Sequence, residues 1–246
     1  MRKSEVKIGD ISMPMYSLNT LIIGSGAASL NAAVNLVENG QKDIAIVTDQ
    51  WGGGTSNNTG SDKQTYYKLS LAGDLPDSPR EMARDLFNGG CMHGDIALCE
   101  AQNSVQAFFH LVSLGVPFPH DRYGAYVGYK TDHDPRARAT SAGPLTSHLM
   151  FEALAKDVKN KGIKIFNNHE VIALLTDKKG NESHVIGAIA LDLNNLESEN
   201  FGFVVFNVVN VILGTGGPAG IYKTSVYPES QLGSSGLAFE IGAVGN

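Results

Sequence analysis

LIIGSGAASLNAAVNL, residues Leu21 to Leu36, holds the change of period on which the fold turns. The apolar run Leu21-Ile22-Ile23 stops at Gly24-Ser25-Gly26, and apolar positions then recur with helical spacing at Ala28, Ala32, Ala33, Leu36 and Val37. The pattern predicts a buried strand, a tight turn and a helix that opens at the turn. Gly24 makes the turn, and Gly26 lets a phosphate approach the backbone. The helix start, from Ser25 through Ala27 and Ala28, offers unpaired N–H groups and a positive dipole end to a pyrophosphate. Ser29 stands where a third glycine completes the fingerprint, and it is small enough to pack against a sheet. Such turns also occur with no ligand, so the neighbouring segments arbitrate.

Downstream, Gly40 fits a helix C-cap and Ile44-Ala45-Ile46-Val47 reads as a second buried strand, completing a βαβ unit. In a dinucleotide fold an acid at the end of that strand binds ribose hydroxyls. Here the position falls on Thr48, with Asp49 one residue late; either one faces the ribose, or Asp49 simply opens a turn. The stretch from Trp51 to Gln64, with Gly53, Gly54, Thr55 and Ser56 near its start, is too rich in glycine and polar residues to be regular. Its place after the second strand, on the sheet edge of the first turn, favours wrapping its amides around a ligand.

From Pro79 to Leu114 the pattern is helical with a break at Gly89-Gly90, and Val105, Phe108, Phe109 and Val112 form an apolar stripe expected in a core. Cys91, His93 and Asp95 alternate, but no second ligand cluster accompanies them, and no metal is expected. Asp121 to Arg138 is a long polar loop of the kind that often carries function. Pro144 suits the first position of a helix with Leu145, Leu149, Ala153, Leu154 and Val158 buried, closed by Gly162 and followed by a strand at Ile163–Phe166. Then the character changes. Val171–Leu175, Val185–Ala190 and Phe201–Val205, joined by polar turns such as Lys179-Gly180-Asn181, read as an antiparallel meander. Val208–Leu213 reads as a further buried strand, ending in Gly214-Thr215-Gly216-Gly217-Pro218. A second glycine-rich strand end favours a nucleotide fold far more than the first alone. The fold class is α/β, Rossmann-like, with a parallel sheet, helices and an inserted antiparallel β-meander, forming one domain over 1–246.

Composition narrows the classes. Hydrophobic content of 42% and charged content of 18% describe a globular chain with apolar material for a core. A net charge of −6 provides no basic field for nucleic acid or an acidic membrane surface. No apolar stretch is long enough for a bilayer span, and MRKSEVKIGDISMPMY lacks the apolar centre of a signal peptide. The two cysteines, Cys91 and Cys99, lack a CxxC spacing and read as reduced thiols of a cytoplasmic protein.

Together these segments resemble the flavoprotein family of fumarate reductase, succinate dehydrogenase and L-aspartate oxidase over nearly the whole chain. IIGSGAASLNAA is similar to that family's FAD-binding turn, and GVPFPHD (Gly115–Asp121) to its LGVPF segment. ARATSAGPLTSHLMFEAL resembles a family stretch that runs from an arginine to T-G-H, with Thr146 and His148 matching and Ser147 in place of glycine. VILGTGGPAGIYKTSVYPESQLGSSGLAFEIGA resembles the V-I-L-A-T-G-G signature, the tyrosine and proline after it, and a T-G-D-G turn. Gly233, Ser234, Ser235 and Gly236 stand at that turn, with serine for the family's aspartate.

The resemblance implies an FAD-binding oxidoreductase module. It implies cofactor contacts from Gly24, Ser25, Gly26, Ala27, Ala28, Thr48 or Asp49, Gly53, Gly54, Thr55, Ser56, the backbone at Glu170-Val171, Thr215, Gly216, Gly217, Ser235 and Gly236. Thr55 stands where fumarate reductase and succinate dehydrogenase carry the histidine that bonds FAD, which implies noncovalent FAD, as in aspartate oxidase. In the family, the capping domain, the carboxylate-clamping arginines and a last FAD segment lie further on. The chain ending at Asn246 therefore resembles the N-terminal portion of a larger flavoprotein, and no catalytic side chain is assigned. The complete enzyme would exchange a hydride between flavin N5 and a carboxylate-type small molecule such as a dicarboxylate, with an electron-transfer or C-terminal partner chain. Arg136, Arg138 and His148 either face the flavin cavity or serve the fold, with Arg138 on a carboxylate and His148 at a helix cap. The alternatives are a nicotinamide-dependent dehydrogenase domain and a non-catalytic fragment or interaction subunit that keeps the fold.

Overall fold

The computed structural model describes residues 1–62, 64–73, 76–90, 92–131, 134–179, 182–225 and 231–245. Lys63 of the polar loop, Cys91, Asp132 and His133, the Gly180-Asn181 turn and the Tyr227-Pro228 pair lie outside the described residues. The chain forms two compact units, one of Met1–Asn58 with Leu154–Gly245 and one of Thr59–Ala153.

The first unit opens with a hairpin of β1 (Arg2–Ile8) and β2 (Ile11–Ile23), turned at Gly9 with φ +59°. Then come α1 (Ala27–Glu38), β3 (Ile44–Val47) and the single turn α2 (Thr55–Asn58). Asn39 caps α1 and Gly40 follows it at φ +89°, a left-handed exit that suits glycine. The second unit contains β4 (Tyr66–Tyr67), α3 (Pro79–Asn88), α4 (Gly94–Ser113) and β5 (Ala139–Thr140). Helix α5 (Thr146–Asn160) leads back to β6 (Lys164–Phe166), β7 (His169–Lys179), β8 (Glu182–Asp192), β9 (Phe203–Leu213) and α6 (Ser235–Glu240).

The main sheet has the order β6-β3-β2-β9-β8-β7, with β1 beside the first half of β2. Strands β6, β3, β2 and β9 are mutually parallel, and β9, β8 and β7 are antiparallel. This is the expected α/β class, a parallel sheet with an antiparallel meander. One boundary is corrected. The segments expected at Phe201–Val205 and Val208–Leu213 merge into one strand, β9, which starts at Phe203 and pairs antiparallel with β8 over its first half and parallel with β2 from Val205 to Leu213. Asn207 and Asn210 break the apolar run without ending the strand, because their amides bond across to Ser17 Oγ and Asn19 Oδ1, each at 3.3 Å. The core gathers Leu21, Ile23, Val47, Ala188, Ala190 and Phe206. Tyr16, Phe166 and Phe206 pack ring to ring within it, at centroid distances of 4.7, 5.9 and 5.0 Å.

Two helical faces also differ from the pattern. Helix α5 starts at Thr146 rather than Pro144, because the Thr146 amide and hydroxyl both turn back to Gly143 O. Leu145 therefore precedes the helix and is exposed; Leu154 and Val158 are buried as expected, Phe151 and Ala155 join them, and Leu149 and Ala153 are half-buried. On α4 the buried stripe is Ala97, Ala101, Ser104, Phe108 and Leu111, and Phe109 turns outward.

In the second unit, α3 begins at a serine N-cap: Ser78 Oγ accepts the Glu81 amide at 3.2 Å, and Pro79 occupies the first turn. Around it lies a buried charged network. Arg138 is fully buried and donates to Asp77 through two bonds of 2.8 and 2.7 Å, to Asp85 at 2.7 Å and to the Tyr67 hydroxyl at 3.0 Å. Asp134 accepts the amides of Arg136 and Arg138. Burial weakens the guanidinium charge, but these partners outweigh it and hold Arg138 more firmly protonated than usual. Burial also pushes Asp77 up, and the Arg138 bond with the Ser70 and Ser78 amides reverses this, leaving its carboxyl below the ordinary range.

Candidate functional site

The parallel strands of the first unit all end at one sheet edge, and the loops that leave them converge there. The ladder continues one residue past each end: Gly24 N donates to Val47 O at 2.8 Å, Gly214 N to Ile23 O at 2.8 Å and Thr48 N to Phe166 O at 3.0 Å. Ligands of open α/β sheets bind at this carboxyl edge.

The first turn fits the fingerprint. Gly24 has φ +103°, and a Cβ there would lie 2.5 Å from Gly214 O, so glycine is required twice over. Gly26 caps α1 without a side-chain bond, and no acidic residue occupies the first turn of that helix. The helix start therefore retains its electropositive character. One of its donors is engaged: Ala27 N bonds Ser56 Oγ at 3.1 Å, and a Cβ on Gly26 would meet that oxygen at 3.4 Å. Ala28 is exposed beside it.

Ser25 and Thr48 face inward. Their hydroxyls lie 3.1 Å apart and both are nearly fully buried, at 5% and 4% exposure. Ser25 Oγ also accepts Gly52 N and reaches Gln50 O, each at 3.3 Å, so it ties the first turn to the loop after β3. Of the two residues expected near a ribose, Thr48 is the buried one, and its hydroxyl holds the turn together. Asp49 is the exposed member of the pair, and its Oδ1 accepts Gln50 N at 2.7 Å.

The Gly52–Gly54 loop is held by residues that the sequence pattern did not single out. Asn57 and Asn58 donate to Gly52 O at 2.9 and 2.7 Å, and Asn58 also to Gly54 O at 2.9 Å. Trp51 N donates to Asn167 Oδ1 at 2.7 Å. Two asparagines three and four residues past a glycine run were the legible signal, since short amides bond to nearby backbone. Gly53 packs on the Gln50 side chain, and Gly54 has open space where a Cβ would stand.

The second glycine turn closes the same region. Gly216 has φ +76°, and both Gly216 and Gly217 are exposed with open space at the Cβ position. Thr215 Oγ1 accepts Ser234 N at 3.1 Å, and a Cβ on Gly233 would lie 2.8 Å from Gly216 O. Ser235 and Gly236 at the start of α6 are thereby brought beside Thr215–Gly217. The Thr55 hydroxyl donates to Gln231 Oε1, which joins the first loop to this segment. Val171 sits in β7 opposite Ala190, half-buried, just before a register shift. Strand β7 is outermost, so its far edge pairs with no strand among the described residues.

Arg138 and His148 belong to the second unit. Of the two readings of Arg138, the structure shows the carboxylate pairing, with Asp77 and Asp85. His148 lies in the first turn of α5, 3.5 Å from Glu152. Among the described residues no three His, Cys, Asp or Glu side chains form a metal-binding group, and no helix is long and apolar enough to cross a membrane.

The site suits a phosphate-linked nucleotide, since exposed glycine backbone and a helix start without acids meet at one edge. Known proteins agree. A fumarate reductase (CoM/CoB) polypeptide of Methanothermobacter marburgensis is 26% identical over 229 residues, covering 91% of this chain and 39% of that one. An L-aspartate oxidase of Agrobacterium fabrum is 28% identical over 232 residues, covering 92% and 41%. An E. coli quinol fumarate reductase chain superposes with a TM-score of 0.75 at 19% identity, covering 92% of this chain and 37% of that chain. A 3-ketosteroid-Δ4-(5α)-dehydrogenase of Rhodococcus jostii superposes with a TM-score of 0.71 at 18% identity, covering 93% and 55%. The chain thus spans about two-fifths of the length of the curated relatives it matches. The family described as "FAD binding domain" matches residues 19–243, and to that family of FAD-binding proteins this chain belongs.

Proposed function

We propose that the chain is the FAD-binding module of an oxidoreductase of the fumarate reductase, succinate dehydrogenase and aspartate oxidase type. The observation that carries this is the meeting of two glycine-rich strand ends, Gly24–Gly26 and Gly214–Gly217, at the carboxyl edge of one parallel sheet. When bound, FAD supplies hydride exchange at flavin N5 with a carboxylate-type substrate, for which a dicarboxylate is the reading preferred here. The amides of Gly26 and Ala27 hold the pyrophosphate, and Ser56 shifts its hydroxyl from Ala27 N to share that contact. Asp49 binds the ribose hydroxyls, and the Val171 main chain reads the adenine edge. Gly53 to Ser56, Thr215 to Gly217, and Ser235 with Gly236 line the remainder. Thr55 offers no imidazole for a covalent bond, so the cofactor is held noncovalently. The protein is assigned to the cytoplasm, with an electron-transfer partner or a further polypeptide segment completing the enzyme, and the 1–246 segment serves as one FAD-binding domain.

Trp51 is the only tryptophan and flanks the site, so its emission reports binding. Titrating FAD should quench it, and the washed protein should retain a flavin band near ~450 nm. Quenching by NAD instead of FAD would favour the nicotinamide reading, and quenching by neither would overturn both.

A further inference from the structure

Ser29 stands where the fingerprint has its third glycine, and its hydroxyl is placed for a task glycine cannot perform. The residue is fully buried on α1, and its Oγ donates to Gly214 O at 3.1 Å, with Ile23 O at 3.4 Å. Gly214 is the first residue after β9, so its carbonyl lies past the last ladder pair, Ile23 with Leu213. The fit around this bond is close. A Cβ on Gly214 would lie 2.0 Å from Ser29 Oγ, and one on Gly24 would lie 2.5 Å from Gly214 O and 3.3 Å from Ser29 Oγ. Gly24, Ser29 and Gly214 are therefore interlocked, and each end of the contact opens one of the two glycine turns.

We infer that Ser29 is a positioning residue for FAD binding. Acting through the Gly214 carbonyl, it fixes Thr215–Gly217 relative to Gly24–Gly26 so that both turns present their backbone to one ligand. This rests on the FAD reading above. Glycine at 29 leaves the second turn attached to the first by the Gly214 amide alone. The hydroxyl adds a second tether, from the helix, and restricts the pivot about the first. One neutral hydrogen bond of ordinary strength corresponds to a roughly fivefold to tenfold change in an equilibrium constant.

The test compares Ser29→Ala and Ser29→Gly with Ala33→Gly. Ala33 is buried on the same helix, and its change to glycine lowers the helix propensity of α1 at least as much as either Ser29 change does. Two quantities are read: the FAD dissociation constant from Trp51 quenching, and amide hydrogen exchange in the FAD-free protein. Both Ser29 variants should bind FAD about fivefold to tenfold more weakly, with faster exchange confined to Gly214–Gly217. Ala33→Gly should bind as wild type. If wild type binds FAD and the Ser29 variants bind within a factor of about two, this inference fails and the FAD reading stands. Equal loss in Ala33→Gly, or faster exchange spread over β2 and β9, reduces Ser29 to a stability residue and also overturns it. Failure of wild type to bind FAD removes both.

Discussion

Arg138 anchors a buried charged network in the second unit. Removing a guanidinium that holds Asp77 and Asp85 leaves buried carboxylate without its counter-charge, a loss of roughly 3–5 kcal/mol. Arg138→Met should lower the urea midpoint accordingly, and a midpoint unchanged from wild type would contradict the network. The pH dependence has a definite sign. Asp77 is depressed below its unfolded value of 3.8, so its contribution is present above that pH and is lost as pH falls through the folded value. Acid titration followed by circular dichroism should show this loss below about pH 4, and it should be absent in Asp77→Asn. Lys68 makes the opposite case. It is fully buried, reaches Leu69 O only at 3.4 Å, and has no salt-bridge partner among the described residues. Burial drives its ammonium down. The Phe108 ring at 4.8 Å returns about 2 kcal/mol at most, against several for desolvating the ion. Lys68→Met should therefore raise the melting temperature, by a few degrees if about 1 kcal/mol is recovered. The alternative for Arg138 was legible as a residue type that pairs when buried, but its partners, roughly sixty positions upstream, were not.

Among the elements, α3 depends on its first turn. Ser78→Ala removes the acceptor for the Glu81 amide and should cost about 1 kcal/mol, measured as a shift in thermal midpoint. Ser78→Gly should cost only a few tenths. Strand β3 was legible as an unbroken apolar run, and helix α1 because its apolar period holds and its exit carries glycine. The β1–β2 hairpin was not, and the reason is local. Ser12-Met13-Pro14-Met15 reads as punctuation, whereas Pro14 is paired with Glu5 inside the ladder. Strand β9 reads as two segments because its two asparagines find partners only across the sheet, on β2. At the site, the ends of β2 and β9 were legible as glycine punctuation. Which of Thr48 and Asp49 faces outward was not, because Ser25 decides it from another loop.

For the whole molecule, the relatives matched are more than twice as long as this chain. The chain should therefore fold and bind FAD yet fail to turn over fumarate. Carboxylate clamping and proton delivery need side chains within about 3 Å of the reacting atoms, and none of the described residues is assigned that role. With FAD and an artificial donor, a rate on the order of 10 per second would falsify this. The pairing of β2 with β9 has another consequence, for biosynthesis. Its partners are 190 residues apart, as at Ser17 and Asn207. At about 5–20 residues per second on the ribosome, one edge of β2 waits on the order of 10–40 s for its neighbour. During that interval Leu21, Ile22 and Ile23, buried in the finished sheet, stand beside an open strand edge. A nascent chain released before β9 has emerged should be seized by chaperones or aggregate, whereas one released after it should become protease-resistant.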